Sequence, residues 1–155
     1  MNFKKIDKLA EKKKWMDRFR RAYSGELKPE TDKFYTDNVS FLVAQEENRE
    51  LGFVRITDKT YRFNQFTSKS VWSLTDGYIK PSYRNKGVLK KLIRYSIDHH
   101  NVRAMYIETT RFRLNQSYYF DLGFTKFYTV SDGQFTWAFQ EDIWQAVEQL
   151  NANNS

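Results

Sequence analysis

The sequence predicts a mixed α/β (α+β) fold, a mostly antiparallel central sheet flanked by helices. Three observations carry it. Several short β-rich runs are separated by turn signals. A single strand–helix–strand passage spans residues 71–109. Helical periodicity is otherwise confined to the two ends of the chain and to one segment before Gly123.

Residues 3–23 are predicted as one helix, because Phe3, Ile6, Leu9, Met16, Phe19 and Tyr23 recur every three or four positions with basic residues between them. Ser24-Gly25 ends it, and Pro29 opens a short second helix over about 29–36. Val39–Gln45 and Leu51–Thr57 form a hairpin across Glu46-Glu47-Asn48-Arg49. Residues 58–70, polar with scattered aromatics, read as a loop or irregular hairpin end.

Val71–Lys80 is the next strand, closed by Pro81. A helix follows over about 86–99, with Leu89, Ile93 and Ile97 in one stripe beside Val88, Leu92 and Tyr95. Ala104–Thr109 is a strand, and residues 113–122 are a helix ended by Gly123. Thr125–Val130 and Gln134–Phe139 pair across Asp132-Gly133, and residues 141–150 form a last amphipathic helix. The 155 residues suit one domain: a basic N-terminal helix, a ligand-binding core over 71–124, and a C-terminal hairpin and helix over 125–150.

Charge is distributed unevenly. Residues 1–24 hold nine basic and three acidic side chains, which supply +6 of the net +7. That excess is either the solvated face of a surface helix or a contact for an acidic acceptor or a nucleic-acid-associated partner, and it says nothing about the fold. The absence of cysteine excludes disulfides, thiolate nucleophiles and thiolate metal sites, and no His, Asp and Glu spacing suggests a metal. No apolar run reaches the roughly 20 residues of a membrane helix, so no membrane partner and a cytoplasmic location are expected. His99 and His100 fall at a helix C-terminus, where the dipole favours a cation, and read as caps. Trp137 and Trp144 leave oligomerisation open.

The chemistry concentrates in Ile79-Lys80-Pro81-Ser82-Tyr83-Arg84-Asn85-Lys86-Gly87-Val88-Leu89. A strand ends, a short basic loop follows and a helix begins, and a helix N-terminus presents unpaired N–H groups to an anion. Spacing alone leaves this level with an ordinary strand-to-helix turn.

Ile79-x-Pro81-x-x-Arg84-x-Lys86-Gly87 resembles motif A of the GNAT superfamily of acyl-CoA N-acyltransferases. Tyr119-Phe120-Asp121-Leu122-Gly123-Phe124 resembles the family's second motif, a Tyr followed by Gly-Phe. The resemblance implies a GNAT-like fold over nearly the whole chain and transfer of acetyl from acetyl-CoA directly to an amine acceptor. It implies that the amides of Arg84, Asn85, Lys86, Gly87, Val88 and Leu89 hold the coenzyme A pyrophosphate. The main chain at Tyr78 and Ile79 would pair with the pantetheine arm, and Tyr119 would donate a proton to the departing thiolate.

Two departures stand out. Leu89 occupies a position that is Gly or Ala in the family, where it either crowds the coenzyme or points into the core. Phe112 and Asn115 replace the family's Asn and Ala, leaving Asn115 as a further candidate coenzyme contact. Asp76 is the acid on the strand before the loop and the candidate base, with Glu108 on the neighbouring strand; a strand-end or salt-bridged carboxylate is the competing reading for both. The alternatives to an enzyme are a GNAT-fold binding protein without turnover and a nucleic-acid-associated modifier recruited by the basic N-terminal helix.

Overall fold

A computed structural model describes residues 1–23, 32–109, 116–124, 126–129, 135–138 and 152. Its spine is a seven-stranded sheet in the order β1-β2-β3-β4-β5-β7-β6. The strands are β1 (Asn2–Ile6), β2 (Val39–Glu46), β3 (Arg49–Asp58), β4 (Val71–Ile79), β5 (Ala104–Thr109), β6 (Lys126–Thr129) and β7 (Phe135–Ala138). Every pairing is antiparallel except β4 with β5, which are joined through helix α3 (Val88–His99). The mixed, mostly antiparallel sheet is therefore as the sequence predicts.

β2 and β3 are buried along nearly their whole length, because both faces of this hairpin are covered. Phe41 and Val43 of β2 pack with Trp15, Met16, Phe19 and Phe53 under α1 (Leu9–Ala22). Leu42 and Ala44 pack on the other face with Val54, Leu92, Ile93 and Met105 under α3. Their hairpin turns at Glu47 and Asn48, both at positive φ (51° and 65°), so the two-residue turn matches the strand twist.

The N-terminus differs from expectation. Residues 3–6 belong to an edge strand, and the helix begins only at Leu9. The spacing of three between Phe3 and Ile6 would put them on one face of a helix, but on a strand it puts them on opposite faces. Phe3 stacks on Tyr95 of α3 (centroids 5.2 Å apart), whereas Ile6 joins the cluster under α1. Leu9, counted in the helical stripe, is 52% exposed, and the stripe that packs is Trp15, Met16 and Phe19.

The short helix expected over 29–36 is a 3-10 turn at Asp32–Tyr35, with residues 29–31 outside those described. Within 58–70 a one-turn helix, α2 (Thr60–Phe63), inserts the buried Phe63, and the Asp58 carboxylate accepts the Thr60 N–H at 3.0 Å. α3 buries Val88, Leu92, Ile93 and Ile97, close to the predicted stripe. α4 (Gln116–Leu122) ends at Gly123 (φ 107°). There Phe124 N–H donates to Tyr119 O and Gly123 N–H to Phe120 O, the paired hydrogen bonds of a glycine-closed helix. The helix expected over 141–150 lies outside the described residues, as do residues 113–115. No described helix is long and apolar enough to cross a membrane.

Candidate functional site

The site begins where the sheet comes apart. β4 and β5 pair at only three positions, Val71–Ser73 with Ala104–Tyr106, although β4 runs on to Ile79 and β5 to Thr109. From Leu74 onward no described strand pairs with the β5-side edge of β4, while β5 turns its other edge to β7. Against β3 the register slips between Arg55 and Ile56, so Thr75 is an extra residue and β4 bulges beside the opening. Such an edge can accept an extended ligand as an added strand.

At the end of that edge the chain turns sharply into α3. Pro81–Tyr83 forms one 3-10 turn, then Asn85 (φ 63°) and Gly87 (φ 76°, ψ 14°) take left-handed backbone. A β-carbon on Gly87 would meet nothing within 4 Å, so the glycine is required by conformation rather than by space. α3 starts at Val88 with no side chain capping it, which leaves its first-turn amides open to a ligand. Arg84 donates Nε–H to Ile79 O (2.7 Å) and lies over the Tyr78 ring (5.4 Å), which ties the loop back onto β4. Lys86 lies 5.9 Å from the Tyr83 ring.

These elements enclose a cleft of about 480 Å³, within the range of ligand sites. Tyr78, Ile79, Arg84, Asn85, Gly87, Val88 and Leu89, seven of the residues singled out by sequence, line it together. Lys86 is an exposed member of the same loop, and Asn115 lies outside the described residues. Tyr23, Gly77, Tyr83, Lys90, Tyr118 and Asp121 also line the cleft; of these, sequence reasoning included only Tyr83 in the loop, and gave it no role. Tyr23, read only as the last apolar residue of the N-terminal stripe, reaches the cleft because α1 ends over β4, edge-on to Tyr78 (6.4 Å).

The tyrosines of α4 divide. Tyr119 is 9% exposed and packs in the core beneath α3 with Leu122 and Phe124. Tyr118 is 51% exposed and lines the cleft. Although half of the residue is exposed, desolvation on the cleft side raises the Tyr118 hydroxyl above its ordinary value, with Tyr23 and Tyr119 adding and Arg84 opposing. The motif resemblance singled out Tyr119, whereas it is Tyr118 that turns to the cleft.

Asp76 pairs with Arg55 directly across the β3–β4 ladder, and both side chains are largely buried. Burial pushes the carboxyl above its ordinary value, against the charge and hydrogen bond of Arg55 and the charge of Arg20. The Arg55 guanidinium also lies 4.3 Å from the Phe34 ring. Glu108 sits on β5 opposite Thr136 of β7.

His99 and His100 close α3 far along the helix from the loop. His100 Nε2 is 2.8 Å from Ser40 Oγ, and its ring stacks on Trp72 at 4.6 Å. Burial, then the charges of His99 and Lys5, hold it below its ordinary value against Asp58, so burial overrides the helix dipole that would favour a cation.

Residues 37–126 match the family model described as Acetyltransferase (GNAT) domain. Among solved structures, the aminoglycoside 6'-N-acetyltransferase from Enterococcus faecium superposes with a TM-score of 0.61 at 14% identity, covering 89% of this chain and 96% of that one. An aminoglycoside 6'-N-acetyltransferase complexed with coenzyme A gives a TM-score of 0.61 at 13% identity, covering 89% and 95%. The structure of AAC(6')-Iy with the bisubstrate analogue CoA-S-monomethyl-acetylneamine gives 0.60 at 20% identity, covering 81% and 90%. No curated protein matches the chain significantly in sequence.

Proposed function

Because the chain belongs to the GNAT acetyltransferase family, we propose that it transfers an acetyl group from acetyl-CoA directly to an amine. The observation that carries this reading is the open β4 edge from Leu74 to Ile79, ending on an uncapped helix start with left-handed Asn85 and Gly87 before it. An extended arm and an anionic head need those two surfaces in that order. The amides from Arg84 to Leu89 would take the pyrophosphate, and the main chain at Tyr78 and Ile79 the pantetheine arm. Asn115 remains a further proposed contact. Acetyl-CoA would supply the activated thioester; with no cysteine in the chain, attack by the amine itself is the simpler course.

The leaving thiolate needs a proton. Two neighbouring phenols are available: the family motif selects Tyr119, while exposure to the cleft favours Tyr118. With its hydroxyl pushed up, Tyr118 stays protonated at neutral pH and can act as the acid. Asp76 is the proposed base. Its carboxyl lies beside the bulge at Thr75, and to take a proton it must exchange its bond to Arg55 for one to the amine. The rate should then rise with pH through a group lying above the ordinary 3.8 of a free aspartate.

The test has two stages. Acetyl-CoA and free CoA should each raise the unfolding temperature by several degrees, since ligand at about a hundred times its Kd contributes ~2.7 kcal/mol. A panel of amines, including aminoglycosides because neighbours of this fold bear that name, should then show CoA release. No stabilisation by either coenzyme at millimolar concentration sinks the reading. Stabilisation without turnover of any amine favours the second reading, a GNAT-fold binding protein, which the Arg55-bound Asp76 and the buried Tyr119 support. Acceptor chemistry, a nucleic-acid-associated role and a cytoplasmic location stay proposals resting on the basic α1 and the composition.

A further inference from the structure

Like charges gather on the α1 side of β4's end. Arg18 lies over the Trp15 ring at 4.5 Å, and the Lys80 ammonium approaches the same ring at 5.7 Å. Trp15 is buried, so the indole holds both cations near one place instead of offering a free stacking surface. Lys80 is shifted below the ordinary lysine range, first by burial and then by the charge of Arg18, with Lys14 adding to it. Glu50 is the one described carboxylate that acts on Lys80, and it already accepts the Trp15 Nε1–H at 3.0 Å. Arg18 Nη1 is buried with no hydrogen-bond partner among the described residues.

Two cations meeting over one ring beside one committed carboxylate cost free energy, and a donor left over in a guanidinium adds to that cost. Both costs reverse when a multiply charged oxyanion arrives, because guanidinium and ammonium groups form strong charge-assisted bonds to phosphate. The group is also well placed. Lys80 follows Ile79 and its carbonyl accepts the Tyr83 N–H at 2.9 Å, so it stands between two residues that line the cleft. It is on the α1 face, whereas the uncapped start of α3 is on the other.

We propose that Arg18 and Lys80 form a second oxyanion site, for a phosphate group, distinct from the loop that leads into α3. The phosphate has two possible sources: the 3'-phosphate of the coenzyme, or a phosphorylated acceptor entering over α1. The site itself does not depend on acetyl transfer, so its test separates from that of the function.

Inorganic phosphate is titrated calorimetrically onto the full chain at low ionic strength, with Lys80→Gln, Arg18→Gln and Lys86→Gln in parallel. The first two should each weaken phosphate binding about tenfold, the effect of one charge-assisted bond, and Lys86→Gln should leave that component in place. Lys80→Gln should also raise the unfolding temperature without phosphate, by relieving repulsion, which a generally damaging change would not do. Phosphate binding that is unchanged in both Lys80→Gln and Arg18→Gln, or abolished by Lys86→Gln alone, overturns the site. CoA and dephospho-CoA then identify the source. A preference for CoA that Lys80→Gln erases assigns the site to the 3'-phosphate; equal affinities, or a preference that survives, assign it to a separate phosphorylated ligand. If neither coenzyme binds, the acetyltransferase reading fails while the phosphate titration still decides the site.

Discussion

Leu89 lies against Gly77: a β-carbon on the glycine would come within 3.2 Å of Leu89 Cδ1 and 3.7 Å of Val54 Cγ1. The leucine that departs from the family's small residue is thus accommodated by a glycine on the facing strand. It is half-buried, packs onto the core beneath α3, and still forms part of the cleft wall. Leu89→Ala should cost about 2 kcal/mol of stability, the lower end for a truncated core leucine, with coenzyme affinity retained. Denaturant unfolding and CoA titration on the same variant check both halves. Lost affinity at unchanged stability would make Leu89 a ligand contact instead.

The two α4 tyrosines should separate by function. Their rings are 5.5 Å apart at 71°, one outward and one in the core. Tyr118→Phe should lower kcat at least about tenfold with little change in coenzyme affinity, as loss of a general acid does. Tyr119→Phe should act mainly on stability, by roughly 1 kcal/mol. Steady-state kinetics with thermal unfolding distinguishes them, and the reverse ranking returns the acid's role to Tyr119.

Removing Arg55 should hurt more than removing the whole pair. Arg55→Met leaves the Asp76 carboxylate buried without its partner, a loss of about 3–5 kcal/mol at neutral pH. Without the guanidinium, burial raises the Asp76 pKa further, so the folded state takes up a proton the unfolded state lacks. The deficit should therefore shrink as pH falls towards the ordinary carboxylate range. The double variant Arg55→Met with Asp76→Leu should recover part of the loss, and chemical unfolding at two pH values reads all three.

His100 should make the fold acid-sensitive. Its folded pKa lies below the ordinary 6.5 because burial and the charges of His99 and Lys5 disfavour the cation, with Asp58 opposing and Ser40 and Trp72 in contact. A depressed histidine contributes stability that is fully present above 6.5 and lost as pH falls through the folded pKa. Thermal unfolding between pH 7.5 and 5 should show this decline, and His100→Gln should flatten it. An equal slope in the variant would move the effect to other groups.

Much of this was legible in the sequence because it is local. The Glu47-Asn48 turn, the Val88–Ile97 stripe, the Gly123 stop and the loop ending in Gly87 each follow from backbone preferences and periodicity within a few residues. The turn from Pro81 to Gly87 belongs with them, since it is one continuous segment. β1 was illegible because a spacing of three suits either a helix or the two faces of a strand, and only the partner β2 chooses. Tertiary structure likewise decided which of Tyr118 and Tyr119 meets the cleft, that Arg55 holds Asp76, that Gly77 receives Leu89, and that Lys80 meets Arg18 over Trp15. Each of these depends on groups distant in sequence brought together by packing, and side-chain periodicity carries no record of a partner's position.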